Sequence, residues 1–437
     1  MPTLAATDLE TLKAAIAKAQ GGDRIEVAAG VYPPLTIKAL SAVGEPVVVE
    51  PAPGAQVELK GLYVIGVAGL VFRGFSFARN PLSLYLVNVS GCRNIQFLDN
   101  RVKGDLALID GIKAVGFNLR ASQDIVVKGN DISELGQAIA HVDCDEGLLI
   151  TENNIHDLHG NTDGIRGNSS NATVTNNFFT DFYTTGTWHP DAIQWWTDGR
   201  TAPPQNILVE GNVFRRGKGK AIQFIFFGNH PEAGDIPYGS GIVIRGNLGE
   251  GTIWAGVTVG CAVDPLVEKN VIIGFDDVRD AKGGLITPRI SLNRCVGGRM
   301  IDNVAPNFLA TENSPEIVQT GNQKIAVSTA GDFVLAERWL ATREDAGDPA
   351  PPPPVDPRDA KIQELLNALA AEELDDATLA ARALTAEEAA AEERAAHQVT
   401  KTEVVALEDR IALLLAERAK ALGLVDQLVT LLSAPAP

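Results

Sequence analysis

One phrase returns along this chain from residue 95 to residue 271: an aliphatic alternation, then Asn, then another apolar residue. It reads Ile95-Gln-Phe-Leu-Asp-Asn100-Arg-Val102 and Ile125-Val-Val-Lys-Gly-Asn130-Asp-Ile132. Further copies place Asn154, Asn177, Asn212, Asn247 and Asn270 at the same point of the phrase. A fixed repeat constrains the fold before any single residue is read, because each copy must bury its apolar face against its neighbours. Counted on these asparagines, the spacing is 24 residues from Asn130 to Asn154, and 23 from Asn154 to Asn177 and from Asn247 to Asn270. It stretches to 30 between Asn100 and Asn130, and to 35 on either side of Asn212. A unit near 23 residues with loop insertions fits one coil of a parallel β-helix; leucine-rich repeats share the period, but their Leu consensus is missing. Each unit holds two or three β-rich runs broken by Gly, Asn and Asp, the punctuation of strands joined by turns.

Asn suits such a turn because it tolerates left-handed backbone and its amide bonds neighbouring backbone groups. Stacked coil on coil, the amides form a ladder. Thr7-Asp8-Leu9-Glu10 predicts a short amphipathic helix through Leu12, Ala15, Ile16 and Ala19, with Asp8 as its cap. It runs through Gly21-Gly22 into Asp23-Arg-Ile-Glu-Val-Ala-Ala-Gly-Val-Tyr32, and would close the first coil. From about residue 10 to 325 the chain resembles the right-handed parallel β-helix of the pectate-lyase-like superfamily. That resemblance implies a rod of about eleven coils, roughly 50 Å long at about 4.8 Å per coil.

With 55 acidic against 37 basic residues the net charge is -18, which argues against nucleic acid as a partner. The four cysteines (Cys92, Cys144, Cys261, Cys295) lack metal-type spacing and read as buried free thiols. No stretch approaches the roughly 20 apolar residues of a membrane span. Met1-Pro-Thr-Leu-Ala-Ala-Thr-Asp8 has neither a basic n-region nor an apolar h-region, so no signal peptide is expected. Most β-helix polysaccharide enzymes are exported, whereas phage tail proteins share the fold and leave the cell by lysis. The expected location is therefore a virion, or the medium after lysis.

The β pattern fades after Asn322. The expected domains are a cap over 1–32, the β-helix over 33–340, a Pro-rich linker over 341–357 and a helical region over 358–437. The linker contains Pro349-Ala-Pro-Pro-Pro-Pro-Val-Asp-Pro357, a stiff spacer. Beyond it, Val404, Leu407, Ile411, Leu414, Leu422, Val425, Leu428 and Leu432 make an apolar stripe at helical spacing. Such a helix is marginal unless the stripe is buried, in a hairpin within one chain or a bundle between copies; a homotrimer is the expectation.

A second column emerges when coils are aligned on a "small residue, aliphatic" pair: Asp110-Gly-Ile-Lys113, Gln137-Ala-Ile-Ala140, Asp163-Gly-Ile-Arg166, Asp191-Ala-Ile-Gln194, Lys220-Ala-Ile-Gln223 and Ala255-Gly-Val-Thr258. With strand alternation the aliphatic points in, so Arg166, Gln194, Gln223 and Thr258 should line one outer face. Gly164, Ala192 and Ala221 would keep it open, with Asp163, Asp191 and Lys220 at the bend before it. Such a polar row suits sugar hydroxyls, and Trp188, Trp195, Trp196 and Tyr183 are expected to stack on sugar faces. His189 joins the cluster from a neighbouring insertion.

Asn161-Thr-Asp-Gly-Ile165 resembles one motif of the polygalacturonase-type glycoside hydrolases, which implies a catalytic carboxylate at Asp163. That family's paired-Asp, Gly-His-Gly and Arg-Ile-Lys motifs have no counterpart downstream. For a hydrolase, Asp163 and Asp191 on adjacent coils are the natural carboxylate pair. For a lyase, Lys220, Lys218 or His189 is the base, with Arg166 or Ca²⁺ neutralising a uronate. Asp143, Asp145 and Glu146 are the expected ligands if Ca²⁺ is bound; no other cofactor is implied.

The fold expectation is mainly β, a right-handed parallel β-helix with an N-terminal capping helix and a C-terminal oligomerisation region. The functional expectation is a tail spike or fibre that binds, and as an enzyme cleaves, a cell-surface polysaccharide among other virion proteins. The alternatives are a non-catalytic virion component and a free-standing lyase or hydrolase. Light scattering on the whole chain should give a trimer, and removal of 358–437 should lower its mass; a monomer in both refutes the bundle.

Overall fold

In a computed structural model, residues 3–330 are described apart from 39–43, 108–110, 161–162, 185–189, 198–199, 201, 229–238, 281 and 311–315. The chain divides into two units, Met1–Gly347 and Asp348–Pro437. The second unit, with the expected linker and helical stripe, lies outside the described residues.

The aliphatic runs of the repeat are strands, and every one of them pairs in parallel with the equivalent run one coil away. Arg93–Leu98 pairs with Gln123–Lys128, which pairs with Glu146–Thr151. Three sheets of 14, 11 and 12 strands result among the described residues, the topology of a parallel β-helix. Register is exact in type: Ile95, Ile125 and Leu148 stack, as do Phe97, Val127 and Ile150, all fully buried or nearly so. Aromatic rings reinforce these inner rows, with Phe72 stacked on Phe97 at 5.9 Å and Phe179 on Phe214 at 4.9 Å.

The first coil is closed as expected. Leu9–Lys18 is the one α-helix among the described residues, and Asp8 Oδ1 accepts from Thr11 N at 2.7 Å while Thr11 Oγ1 accepts from Asp8 N at 2.9 Å. Leu12, Ala15 and Ile16 face the core. The cap also contains a strand that the sequence reading missed: Thr3–Ala6 pairs with Arg24–Val27 at the edge of the 14-stranded sheet.

The asparagines form a continuous ladder from Asn100 to Asn322. Each backbone N–H and each Nδ2 donates to Oδ1 of the next rung, as Asn153 N and Nδ2 do to Asn177 Oδ1 at 3.0 and 2.9 Å. Nδ2 also reaches a strand carbonyl on the preceding coil, for Asn153 that of Val127 at 2.9 Å. The rung in this coil is Asn153 and not the expected Asn154, whose amide turns outward to Asp131 Oδ1. One signal in the sequence distinguishes them: an apolar residue that points inward follows two positions after each rung (Val102, Ile132, Ile155, Phe179). In the structure the residue before each rung is left-handed (Asp99, Gly129, Glu152, Asn176). The cysteines are free, and three are buried. Cys92 and Cys144 occupy a second turn column in which their N–H groups donate to Ser122 and Ser169 Oγ at 3.0 Å.

Removing a rung leaves buried donors of the preceding Asn without an acceptor, at about 1–3 kcal/mol each. Asn153→Ala is therefore expected to lower unfolding free energy by about 3 kcal/mol in urea titrations. Asn154→Ala should lower it by less than about 1 kcal/mol; equal losses would show that the ladder is not what holds this turn.

Candidate active site

Asp163 precedes the short strand Ile165–Gly167, and Asp191 opens the strand Asp191–Trp195 one coil on. The strands pair Ile165 with Ile193 and Arg166 with Gln194, so the two isoleucines point inward and Arg166 and Gln194 share the outer face as expected. This register brings the two carboxyls together. Asp191 N donates to Asp163 Oδ1 at 2.8 Å, and Gln194 Nε2 donates to Asp191 Oδ2 at 2.7 Å. Arg166 Nε stands 3.6 Å from Asp163 Oδ2, and its guanidinium lies 3.4 Å over the Trp196 ring. The three members of this group other than the carboxyls, Arg166, Gln194 and Trp196, are polar or aromatic and only half-buried, whereas Asp163 is 5% exposed and Asp191 0%. Asp191 Oδ1 has no hydrogen-bond partner among the described residues.

Burial pushes the Asp163 carboxyl up to about 6, against the opposing pull of Arg166 and the Asp191 N–H. Burial, then the charge of Asp163, holds Asp191 well above the usual carboxylate range. Two carboxyls in one dry position do not both ionise at modest pH, so the pair retains a proton that isolated aspartates would have lost.

Several expected members fall elsewhere. Trp195 has the parity of Ile193 and is 1% exposed; it packs in the core between His141 (ring centroids 4.4 Å) and Phe227 (5.3 Å), so it cannot stack on a sugar. Gln223 pairs with Asp191 and not with Gln194, because the aliphatic that stacks on Ile193 is Ile225 and not Ile222. The outer position beside Gln194 belongs to Phe226, and Gln223 is buried. The same three-residue offset takes Lys220 out of the column; it is exposed, and its backbone N–H donates to Phe182 O. Gly164 and Ala192 do not border open space: Ala192 is fully buried, and a Cβ on Gly164 would meet Ala192 O at 2.6 Å. Thr258 does reach the outer row, but buried against Ser291 Oγ at 2.8 Å. Tyr183 is half-buried and stacks on His159 at 4.8 Å. Trp188 and His189 lie outside the described residues.

The donor set expected for Ca²⁺ already holds a cation. Arg200 Nη1 and Nη2 bind Asp145 Oδ1 and Oδ2 at 2.9 and 2.8 Å, and Nη1 also lies 3.4 Å from Asp143 Oδ1. Glu146 turns to Arg93 at 3.3 Å. These residues do not fit a metal ion, and no group of three or more potential ligands is found among the described residues. Arg200 was not singled out from the sequence, since one Arg in a loop of Thr, Gly and Pro carries no periodic signal.

No family model matches the chain, and no curated protein matches it. Among solved structures, a PL6 family alginate lyase, AlyGC, is similar with a TM-score of 0.43 at 15% identity, over 75% of this chain and 52% of that one. The chain thus spans about half the length of that protein. A mannuronic acid specific family 6 lyase from human gut microbiota gives 0.43 at 13% identity, over 79% and 95%. A GH87 α-1,3-glucanase from Streptomyces thermodiastaticus gives 0.39 at 14%, over 75% and 70%. Likenesses of this size carry no chemistry, and the parallel winding stands on the strand pairing above.

The buried pair makes a pH prediction. Both carboxyls hold their proton more tightly folded than unfolded, so the folded state loses stability as each ionises with rising pH, for Asp163 from about 4 through about 6. Asp163→Asn should equal the wild type near pH 4 and exceed it by on the order of 2 kcal/mol at pH 8 in urea unfolding. A constant difference between the two proteins across that range would contradict the raised titration.

Proposed function

We propose that this chain binds a polysaccharide across the outer face bearing Arg166, Gln194 and Trp196, and cleaves it with Asp163 and Asp191 as the acid–base pair. The observation that supports this reading is the contact of Asp191 N with Asp163 Oδ1 at 2.8 Å, which sets two carboxyls side by side where both resist ionisation. Burying such a pair costs stability and gives none back through packing. Strongly perturbed carboxyls with a specific charge partner are a common mark of a working site.

The chemistry follows from the unequal surroundings. Asp191, without a cationic partner in direct contact, is the proton donor to a departing glycosidic oxygen. Asp163, facing Arg166, is the group that carries negative charge and accepts a proton or supports positive charge on the sugar. Gln194 covers Asp191 Oδ2, so a sugar hydroxyl or bridging oxygen takes the place of the Gln194 amide as it enters. Trp196 and Arg166 form a flat, charged platform on which a sugar ring rests.

A tail-spike or fibre setting, in a trimer with other virion proteins, is the context we infer from the Pro-rich stretch and apolar helical stripe that follow the β-helix in the sequence. A second reading is a glycan-binding virion component without catalysis. It is favoured by one observation, the complete burial of Asp191.

Release of reducing ends, and absorbance of unsaturated products, from a panel of neutral and anionic bacterial polysaccharides separates the readings. Cleavage by the wild type should fall at least about 100-fold in Asp191→Ala with the fold intact by circular dichroism. Undiminished cleavage in that variant removes the pair from catalysis. Binding without cleavage by the wild type, weakened about tenfold in Trp196→Ala, supports the second reading.

A further inference from the structure

We infer that the polysaccharide taken by this face is an acidic one, with Phe226 bearing a sugar ring beside the carboxyl pair and Arg289 meeting an acid group farther along. The distribution of charge supplies the first observation. The chain carries 55 acidic against 37 basic residues, and two of its sheets share that mixture. Among the described residues the strands of the 14-stranded sheet hold Glu26, Glu50, Asp124, Glu146, Glu210 and Glu268. Those of the 12-stranded sheet hold Glu58, Asp131, Asp157, Asp181 and Glu250. The strands of the 11-stranded sheet, which carries the site, hold one acid, Asp191, and it is buried and resists ionising. Against it stand Lys38, Arg120, Arg166 and Arg289. On a chain of net charge -18, a face cleared of ionised carboxylates repels an anionic polymer less than the other two faces do, and its arginines attract one.

The second observation is the pair of groups that this face presents past the carboxyls. Phe226 stands on the outer row between Gln194 and Thr258 and is half-buried. Two residues on, Gly228 has no side chain, and a Cβ there would run into the Phe226 ring, with Cζ 2.7 Å away. The ring therefore lies down along the sheet over Gly228, and Phe226 belongs to none of the apolar clusters among the described residues. A flat apolar surface in an otherwise polar row is what a sugar ring stacks on. One coil on, a Cβ at Gly260 would meet nothing nearer than Phe227 O at 3.3 Å, so the row stays low past the ring. Arg289 closes the stretch. It pairs with Ala255, and Ile290 beside it is fully buried, so Arg289 points to the outer face. Counted by strand, it stands three coils from Asp191, about 14 Å along the rod. Its Nε is buried without a hydrogen-bond partner, and it makes no ion pair among the described residues. Trp254, 42% exposed, flanks it and accepts the Arg289 N–H on its carbonyl at 3.0 Å. A guanidinium so placed suits a carboxylate or sulfate, whose oxygens take two of its N–H groups at once.

This inference rests on the face being the glycan-binding one, and it names the class of glycan. Binding is read on the immobilised whole chain with two matched pairs: polygalacturonate and its carboxyl-reduced polymer, and dextran sulfate and dextran. An acidic polymer should bind about tenfold or more tighter than its neutral counterpart, and which pair shows the gap separates a carboxylate from a sulfate. Arg289→Gln should lose about tenfold toward the acidic polymer and nothing toward the neutral one, and Arg289→Lys should keep part of the difference. Phe226→Ala should weaken both forms alike, by about tenfold. Equal binding of acidic and neutral forms by the wild type overturns the inference, as does a folded Arg289→Gln that keeps the full preference. Should that variant fail to fold, wild-type affinity for the acidic polymer that is unmoved by NaCl between about 0.05 and about 0.5 M overturns it equally. Preference for the acidic polymer without cleavage sinks only the enzymatic reading. Cleavage of a neutral polymer that depends on Asp191, with no preference for the acidic one, sinks only this inference.

Discussion

The asparagine ladder is the interaction on which the rest of this β-helix depends. Every rung between Asn100 and Asn322 joins three coils: as Asn153 does, it takes two donors from the rung before, gives two to the rung after, and ties back to a strand carbonyl. Parallel strands alone leave the register of one coil on the next open to a slip, and a slip by one residue would turn every core side chain outward. A buried amide that finds its partner only in one register removes that freedom, since a missed rung leaves polar groups dry and unpaired. The left-handed residue before each rung belongs to the same device, as it turns the amide inward while the chain rounds the corner.

With the register held, loop length is free to vary without disturbing the core. The rung-to-rung distance is 23 residues from Asn130 to Asn153 but 35 from Asn177 to Asn212 and from Asn212 to Asn247. The candidate site lies where those longer coils begin. There the strands Ile165–Gly167 and Asp191–Trp195 still pair in step, and that pairing sets Asp163 under Asp191 and Arg166 beside Gln194. The inner face is adjusted to match. Gly167 carries no side chain between His141 and Trp195, whose rings approach to 4.4 Å across it, and a Cβ there would run into His141.

Much of the fold was legible because it is written in period. Alternation, the recurring Asn and the capped first helix are local signals, and each predicts a structural feature that strand pairing and capping bonds bear out. Legibility failed where two alignments fit equally well. Asn153 and Asn154 are neighbours, and only the inward residue two positions later tells them apart. Ala221-Ile222 and Phe224-Ile225 are both small or aromatic residues before an aliphatic, and the wrong choice displaced Gln223 and Lys220. Trp195 and Trp196 are equally aromatic, yet one parity step sends Trp195 into the core and leaves Trp196 beside Arg166.

The sequence by itself determined the winding, the place of the turns and the candidacy of Asp163, Asp191, Arg166 and Gln194, because all of these follow from spacing along one chain. Only the tertiary structure decided that Asp191 N–H meets the Asp163 carboxyl with both carboxyls buried, that Arg200 occupies Asp145, and that Arg166 lies over Trp196. Those facts depend on which residues of different coils meet, and loops of unequal length between coils erase that relation from the linear order. Burial, the physical source of the raised carboxyls, is likewise a property of the assembled coils and of no single stretch of sequence.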